Sequence, residues 1–101
     1  MKFEIFKNYT ASICSHFSVR PDELFSKTKK REVVDARQLL YYMCSIRPMR
    51  LTYIQDYMSR SGYDIAHSSI LHGINVVKDK IISDEDYDWL VSKIKNECIL
   101  H

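Results

Sequence analysis

A chain of 101 residues with 46% hydrophobic and 28% charged side chains has the balance of a soluble globular protein, large enough for one hydrophobic core and unlike a disordered segment. No run reaches the length of a membrane span, and Met1-Lys2-Phe3-Glu4 opens a polar-interrupted segment rather than a signal peptide. A single cytoplasmic domain over residues 1–101, with no membrane partner, is therefore expected.

The formal net charge of +2 conceals a division along the chain. Residues 20–50 hold eight basic against four acidic side chains, and residues 51–101 hold five basic against eight acidic ones. A basic middle and an acidic end favour a face for a polyanion over a uniformly solvated surface. Cys14, Cys44 and Cys98 are odd in number, far apart and never in C-x-x-C spacing. That argues against a zinc site or a disulfide framework and for buried free thiols. Two glycines and two prolines leave few turn signals, so long helices with short connections are expected.

Residues 3–17 are predicted to form a first helix, because Phe6, Tyr9 or Thr10, Ile13 and Phe17 fall near one face with Cys14 beside them. Pro21, Asp22 and Glu23 suit the first turn of a short helical segment ending near Phe25. Ser26-Lys27-Thr28-Lys29-Lys30-Arg31 follows, a polar loop with four cations and no acid. Such a run is commonly just solvated, yet its self-repulsion also makes it comfortable against phosphate. Residues 32–46 form a second long helix around Val33, Val34, Leu39, Leu40, Tyr41, Met43 and Cys44. Its early turns carry Arg37 and Gln38, side chains suited to guanine and adenine edges or to phosphates. The alternatives are an ion pair from Arg37 to Asp35 or Glu32 and plain exposure of Gln38.

Pro48 ends that helix. A third, over 51–60, turns Leu51, Ile54 and Met58 inward and Gln55 and Asp56 outward. Ser61-Gly62 reads as a turn and Asp64 as the N-cap of the next helix, over 65–81, whose apolar face is Ile70, Leu71, Ile74, Val77 and Ile81. Together these make a helix-turn-helix over about 51–81. His67, Ser68 and Ser69 place compact hydrogen-bonding groups at the start of its second helix, fit for base edges, although ordinary surface helices also begin this way. Ser83-Asp84-Glu85-Asp86 reads as a capping box. The last helix, from Asp84 to about Ile99, turns Tyr87, Leu90, Val91, Ile94 and Cys98 inward with Trp89 at its edge.

Catalytic patterns are missing. There is no G-x-x-x-x-G-K-[ST] or G-x-G-x-x-G, and Ser68-Ser69 lacks the glycine-flanked elbow of a hydrolase. His67 and His72 are five apart, which puts them about 140° out of phase on a helix, so they cannot share a metal. Asp84 and Asp88 share a face, but an acidic first turn accounts for them. No enzyme, cofactor, metal or small-molecule substrate is expected.

Three blocks in order carry a family resemblance. They are Leu24-Phe25-Ser26-Lys27-Thr28-Lys29-Lys30-Arg31, Val34-Asp35-Ala36-Arg37-Gln38 and His67-Ser68-Ser69-Ile70-Leu71-His72-Gly73. They resemble, respectively, the L-L-S-K-R-R-type basic loop, the A-R-Q helix and the D-H-T-T-V-L-H-A signature of the C-terminal DNA-binding domain of the bacterial replication initiator DnaA. The resemblance implies an all-α fold, a small helical bundle with a helix-turn-helix akin to the Trp repressor, and double-stranded DNA as partner. By position it assigns Lys29 to the minor groove and Arg37 and Gln38 to the A-R-Q contacts. His67, Ser68 and Ser69 fall on the signature's histidine and threonines, Lys30 and Arg31 would support them on the phosphates, and Lys27 in the same loop is a further candidate DNA contact.

The sequence departs from the family at Ala66, where the family has aspartate, at both serines, at Gln55 in place of a glycine, and in a longer stretch between Ile54 and His67. With no nucleotide-binding motif, residues 1–101 read as a stand-alone module. The expected function is sequence-specific DNA binding as a replication accessory or transcriptional regulator of bacterial, phage or mobile-element origin, with a replication protein as a further partner. The alternative is a protein-interaction module that kept the fold and lost the DNA-reading face.

Overall fold

The computed structural model describes residues 2–98, and among them it holds six helices and no strand. These are α1 (Lys2–Phe17), α2 (Pro21–Leu24), α3 (Arg31–Ser45), α4 (Leu51–Arg60), α5 (His67–Ser83) and α6 (Glu85–Cys98). The expected all-α bundle is what forms, with boundaries within two residues of those read from the pattern; Ile99, the expected end of the last helix, lies outside the described residues.

The organising element is α3, which packs against α1, α2, α4 and α5, while α6 lies against α1 and α5. Its inward residues Val33, Ala36, Leu39, Leu40, Met43 and Cys44 are all but inaccessible to solvent. Phe6, Tyr9 and Ile13 of α1, Ile54 and Met58 of α4, Ile70 and Val77 of α5 and Ile94 of α6 complete the core. Each such large side chain contributes about 1.5–3 kcal/mol by leaving water. Cys14, Cys44 and Cys98 are buried free thiols, and burial pushes the Cys44 thiol far above its ordinary range, which leaves it inert.

Helix ends explain where the chain turns. Ser18 follows α1 with φ of 54°, and its N–H and that of Val19 return to the carbonyls of Ser15 and Cys14. This is the paired bonding of a Schellman cap, built here on a side-chain-bearing residue. At α6 the cap is Asp84, whose carboxylate accepts from the Asp86 N–H at 2.9 Å. Ser83, read from the sequence as the start of a capping box, instead ends α5 and donates to the Asp79 carbonyl at 3.0 Å. The inward faces also narrow in places. Leu71 is 46% exposed, Phe17, Ile81, Tyr87 and Leu90 are half-buried, and Tyr57 joins the core instead.

Candidate nucleic-acid interface

The helix-turn-helix is α4, residues 61–66 and α5. α4 ends in a second Schellman cap: Gly62, at φ of +108°, donates to the Ser59 carbonyl, and Tyr63 donates to Met58 at 2.9 Å. Glycine is required there because a side chain at that φ would clash with its own backbone. Two further bonds tie the long turn. Ser59 donates its hydroxyl to the Asp64 carboxylate at 2.8 Å, and the Gln55 amide donates to the Ile65 carbonyl at 2.8 Å. Both overturn a sequence expectation. Asp64 is held by α4 and does not cap α5, and Gln55 turns inward to the backbone and does not face solvent.

The residue that does cap α5 is Ala66, with extended φ and ψ and no side-chain hydrogen bond. The first N–H groups of a 17-residue helix are therefore left without a side-chain acceptor, and the positive end of the helix dipole is open. Exposed His67, Ser68 and Ser69 stand on this first turn.

Across from it runs the basic loop. Lys27, Lys29, Lys30 and Arg31 are exposed. Lys30 sits 3.8 Å from the Glu23 carboxylate, and the other three have no ion-pair partner among the described residues. Their positive field is thus largely uncompensated, as phosphate binding requires.

Arg37 is held by backbone. It is 5% exposed, and its guanidinium donates to three backbone carbonyls of the α2–α3 connection. The Nε bond to Leu24 is 2.7 Å and the Nη2 bond to Thr28 is 3.0 Å, with Ser26 accepting from the same nitrogen. Its face also lies 4.5 Å from the Tyr63 ring centroid. Neither Asp35 nor Glu32 takes it; Asp35 pairs with Lys80 at 3.2 Å. Nε and Nη2 are thus both engaged by backbone.

A cleft of about 610 Å³ separates loop from helix, and Lys27, Lys29, Arg37, Gln38 and Ser69 all line it. Lys30, Arg31, His67 and Ser68 flank this cleft in sequence without lining it. Tyr63 and His72 also line it, and sequence reasoning assigned a site role to neither. For Tyr63 the available signal was an aromatic residue directly after the turn glycine, Gly62. Below the cleft α3 and α5 meet closely: a methyl on Gly73 would fall 3.0 Å from Tyr41 Cδ2 and 3.1 Å from Gln38 Cγ. A glycine inside a helix is the signal that could have revealed that approach. Among the described residues no group of three or more His, Cys, Asp or Glu side chains is placed to hold a metal.

A helical bundle with a tied turn, an open-ended second helix and an adjacent cationic loop defines a helix-turn-helix domain, the class that lays its second helix in a major groove. The family model for the bacterial DnaA protein helix-turn-helix matches residues 8–77, and the chain belongs to that family. Similar proteins include the chromosomal replication initiator DnaA of Thermomicrobium roseum, 31% identical over 73% of this chain and 15% of that protein. Those of Lachnoclostridium phytofermentans and Bacteroides thetaiotaomicron are 30% and 29% identical, over 81% and 83% of this chain and 18% and 17% of theirs. The chain thus spans less than a fifth of the length of these relatives. No solved structure gives a significant match to it.

Proposed function

We propose that the chain binds double-stranded DNA sequence-specifically, as a replication accessory or transcriptional regulator of bacterial, phage or mobile-element origin. The observation that carries this is the pairing of a largely uncompensated cationic loop with the open polar N-terminus of α5 across one cleft, in a chain of the DnaA helix-turn-helix family. In this reading Lys27, Lys30 and Arg31 hold phosphates and Lys29 enters the minor groove. Gln38, His67, Ser68 and Ser69 address base edges in the major groove, where an amide, an imidazole and two hydroxyls supply both donors and acceptors. The free N–H groups of α5 add a neutral anchor for a phosphate.

Selection from randomised duplexes, followed by mobility shifts on the selected and random sequences, tests the proposal. The expected result is a recurrent motif, with nonspecific binding at roughly 10⁻⁴–10⁻⁶ M at physiological salt beneath it. No shift at micromolar protein and low salt would refute it. The absence of a carboxylate at Ala66 supports a second reading, a protein-interaction module whose DNA face has drifted. Recovery of one defined protein partner after nuclease treatment, by a chain without intrinsic DNA affinity, would favour that reading.

A further inference from the structure

We infer that Arg37 and Tyr63 are positioning residues: they clamp the basic loop to the helix-turn-helix turn, and neither reads a base. This rests on the proposed DNA binding for its consequence but on the geometry for its substance. The carbonyls of Leu24, Ser26 and Thr28 span the end of α2 and the start of the loop, and one guanidinium gathers all three. The fork delivers these bonds from two nitrogens held in one plane, a spread that the three N–H groups of a lysine, all on one atom, do not reproduce. At its start the loop is tied by Ser26, whose Oγ donates to the Glu23 carbonyl at 2.7 Å, but beyond Ser26 its own ties are long. Thr28 N–H reaches Ser26 Oγ at 3.4 Å, and Lys30 N–H reaches Thr28 Oγ1 at 3.4 Å. Without Arg37, the stretch from Lys27 to Arg31 would be held against its self-repulsion only by those long bonds and the Lys30–Glu23 pair at 3.8 Å.

Tyr63 closes the clamp from the other side. It is the residue just past Gly62 in the α4 cap, so its backbone is fixed by the bond to Met58. Its ring covers the Arg37 guanidinium at 4.5 Å and thereby screens a buried cation that no carboxylate among the described residues neutralises. The turn and the loop, distant in sequence, thus move as one unit. Loop cations fixed before DNA arrives lose less entropy on binding, so the clamp raises affinity for every duplex alike.

The test compares Arg37→Lys, Tyr63→Ala and Tyr63→Phe with the parent chain, by rate of tryptic cleavage at Lys27–Arg31 and by affinity for selected and random duplex. Tyr63→Ala, at the half-buried rim, should speed loop cleavage roughly three- to thirty-fold, from the usual strength of a cation–π interaction. Arg37→Lys should speed it on the order of ten-fold or more, because charge-assisted hydrogen bonds are removed. Both should weaken selected and random DNA by the same factor, while Tyr63→Phe keeps the ring and behaves as the parent. Unchanged loop cleavage in both Arg37→Lys and Tyr63→Ala would overturn the inference, as would a loss of affinity confined to the selected site. If the parent chain binds no DNA, the cleavage rates still decide whether the clamp exists, and only the functional proposal falls.

Discussion

At the scale of single residues, Gly73 and Tyr87 carry checkable consequences. Gly73 sits mid-helix, where alanine would gain about 1 kcal/mol of helix propensity. The added methyl, however, meets the buried Tyr41 ring at 3.0 Å and the Gln38 stem at 3.1 Å, and crowding of this kind costs about 1–3 kcal/mol. Tyr41 is 2% exposed, so its ring can yield only by disturbing its packing, and Gly73→Ala should lower stability by about 1 kcal/mol in denaturant unfolding. Equal or higher stability would show that Tyr41 can give way. Tyr87 offers a test by pH. Burial, with Asp35 and Asp84 nearby, pushes its phenol from 10.0 up to about 12, and its hydroxyl is buried without a partner among the described residues. A raised folded-state pKa means the unfolded chain releases this proton first. The stability it contributes is full below pH 10 and is lost as pH rises toward about 12. Tyr87→Phe should therefore flatten the alkaline decline between those values, with neutral-pH stability unchanged or higher, since no hydrogen bond is removed. An unaltered alkaline limb would place the responsible groups elsewhere.

At the scale of elements, the open end of α5 is the feature with most leverage. Ala66 caps a long helix without a side-chain acceptor, so Ala66→Asp should stabilise the fold by about 0.5–2 kcal/mol. The same carboxylate would stand beside His67 and could accept from a cytosine amine while repelling phosphate. Thermal unfolding should show the gain, and binding should show altered base preference with weaker random-duplex affinity. A variant more stable yet unchanged in binding would detach the α5 N-terminus from DNA. Much of this architecture was legible in the sequence, because apolar periodicity sets helix positions and Pro48 and Gly62 mark turns in any context. What escaped was long-range or backbone-directed. Gln55 and Asp64 are polar residues whose partners are a turn carbonyl and a serine hydroxyl, invisible to a pattern that sorts side chains into inward and outward. Arg37 shows the same limit: a long cation early in a helix reads as a ligand for DNA, and nothing in local sequence says that three carbonyls 9–13 residues earlier will gather it. The loop, by contrast, was legible because charge density needs no fold to be seen.

At the scale of the whole molecule, charge division and fold converge. The cationic segment of the chain supplies the loop and α3, while the acidic first turn of α6, with Glu85, Asp86 and Asp88, takes no part in lining the cleft. A molecule so divided should approach a polyanion in a preferred orientation, and its association should be strongly salt-dependent. The proposed interface is therefore tested most directly by the affinity for random duplex as a function of salt, measured for the parent chain and for a variant with Lys29, Lys30 and Arg31 replaced by alanine. Each phosphate interaction removed should reduce the log–log slope by roughly 0.9, on every duplex alike. A shallower slope with weaker binding is the result predicted. An identical slope and affinity in parent and variant would contradict it, and would make the loop a solvated surface that DNA does not touch.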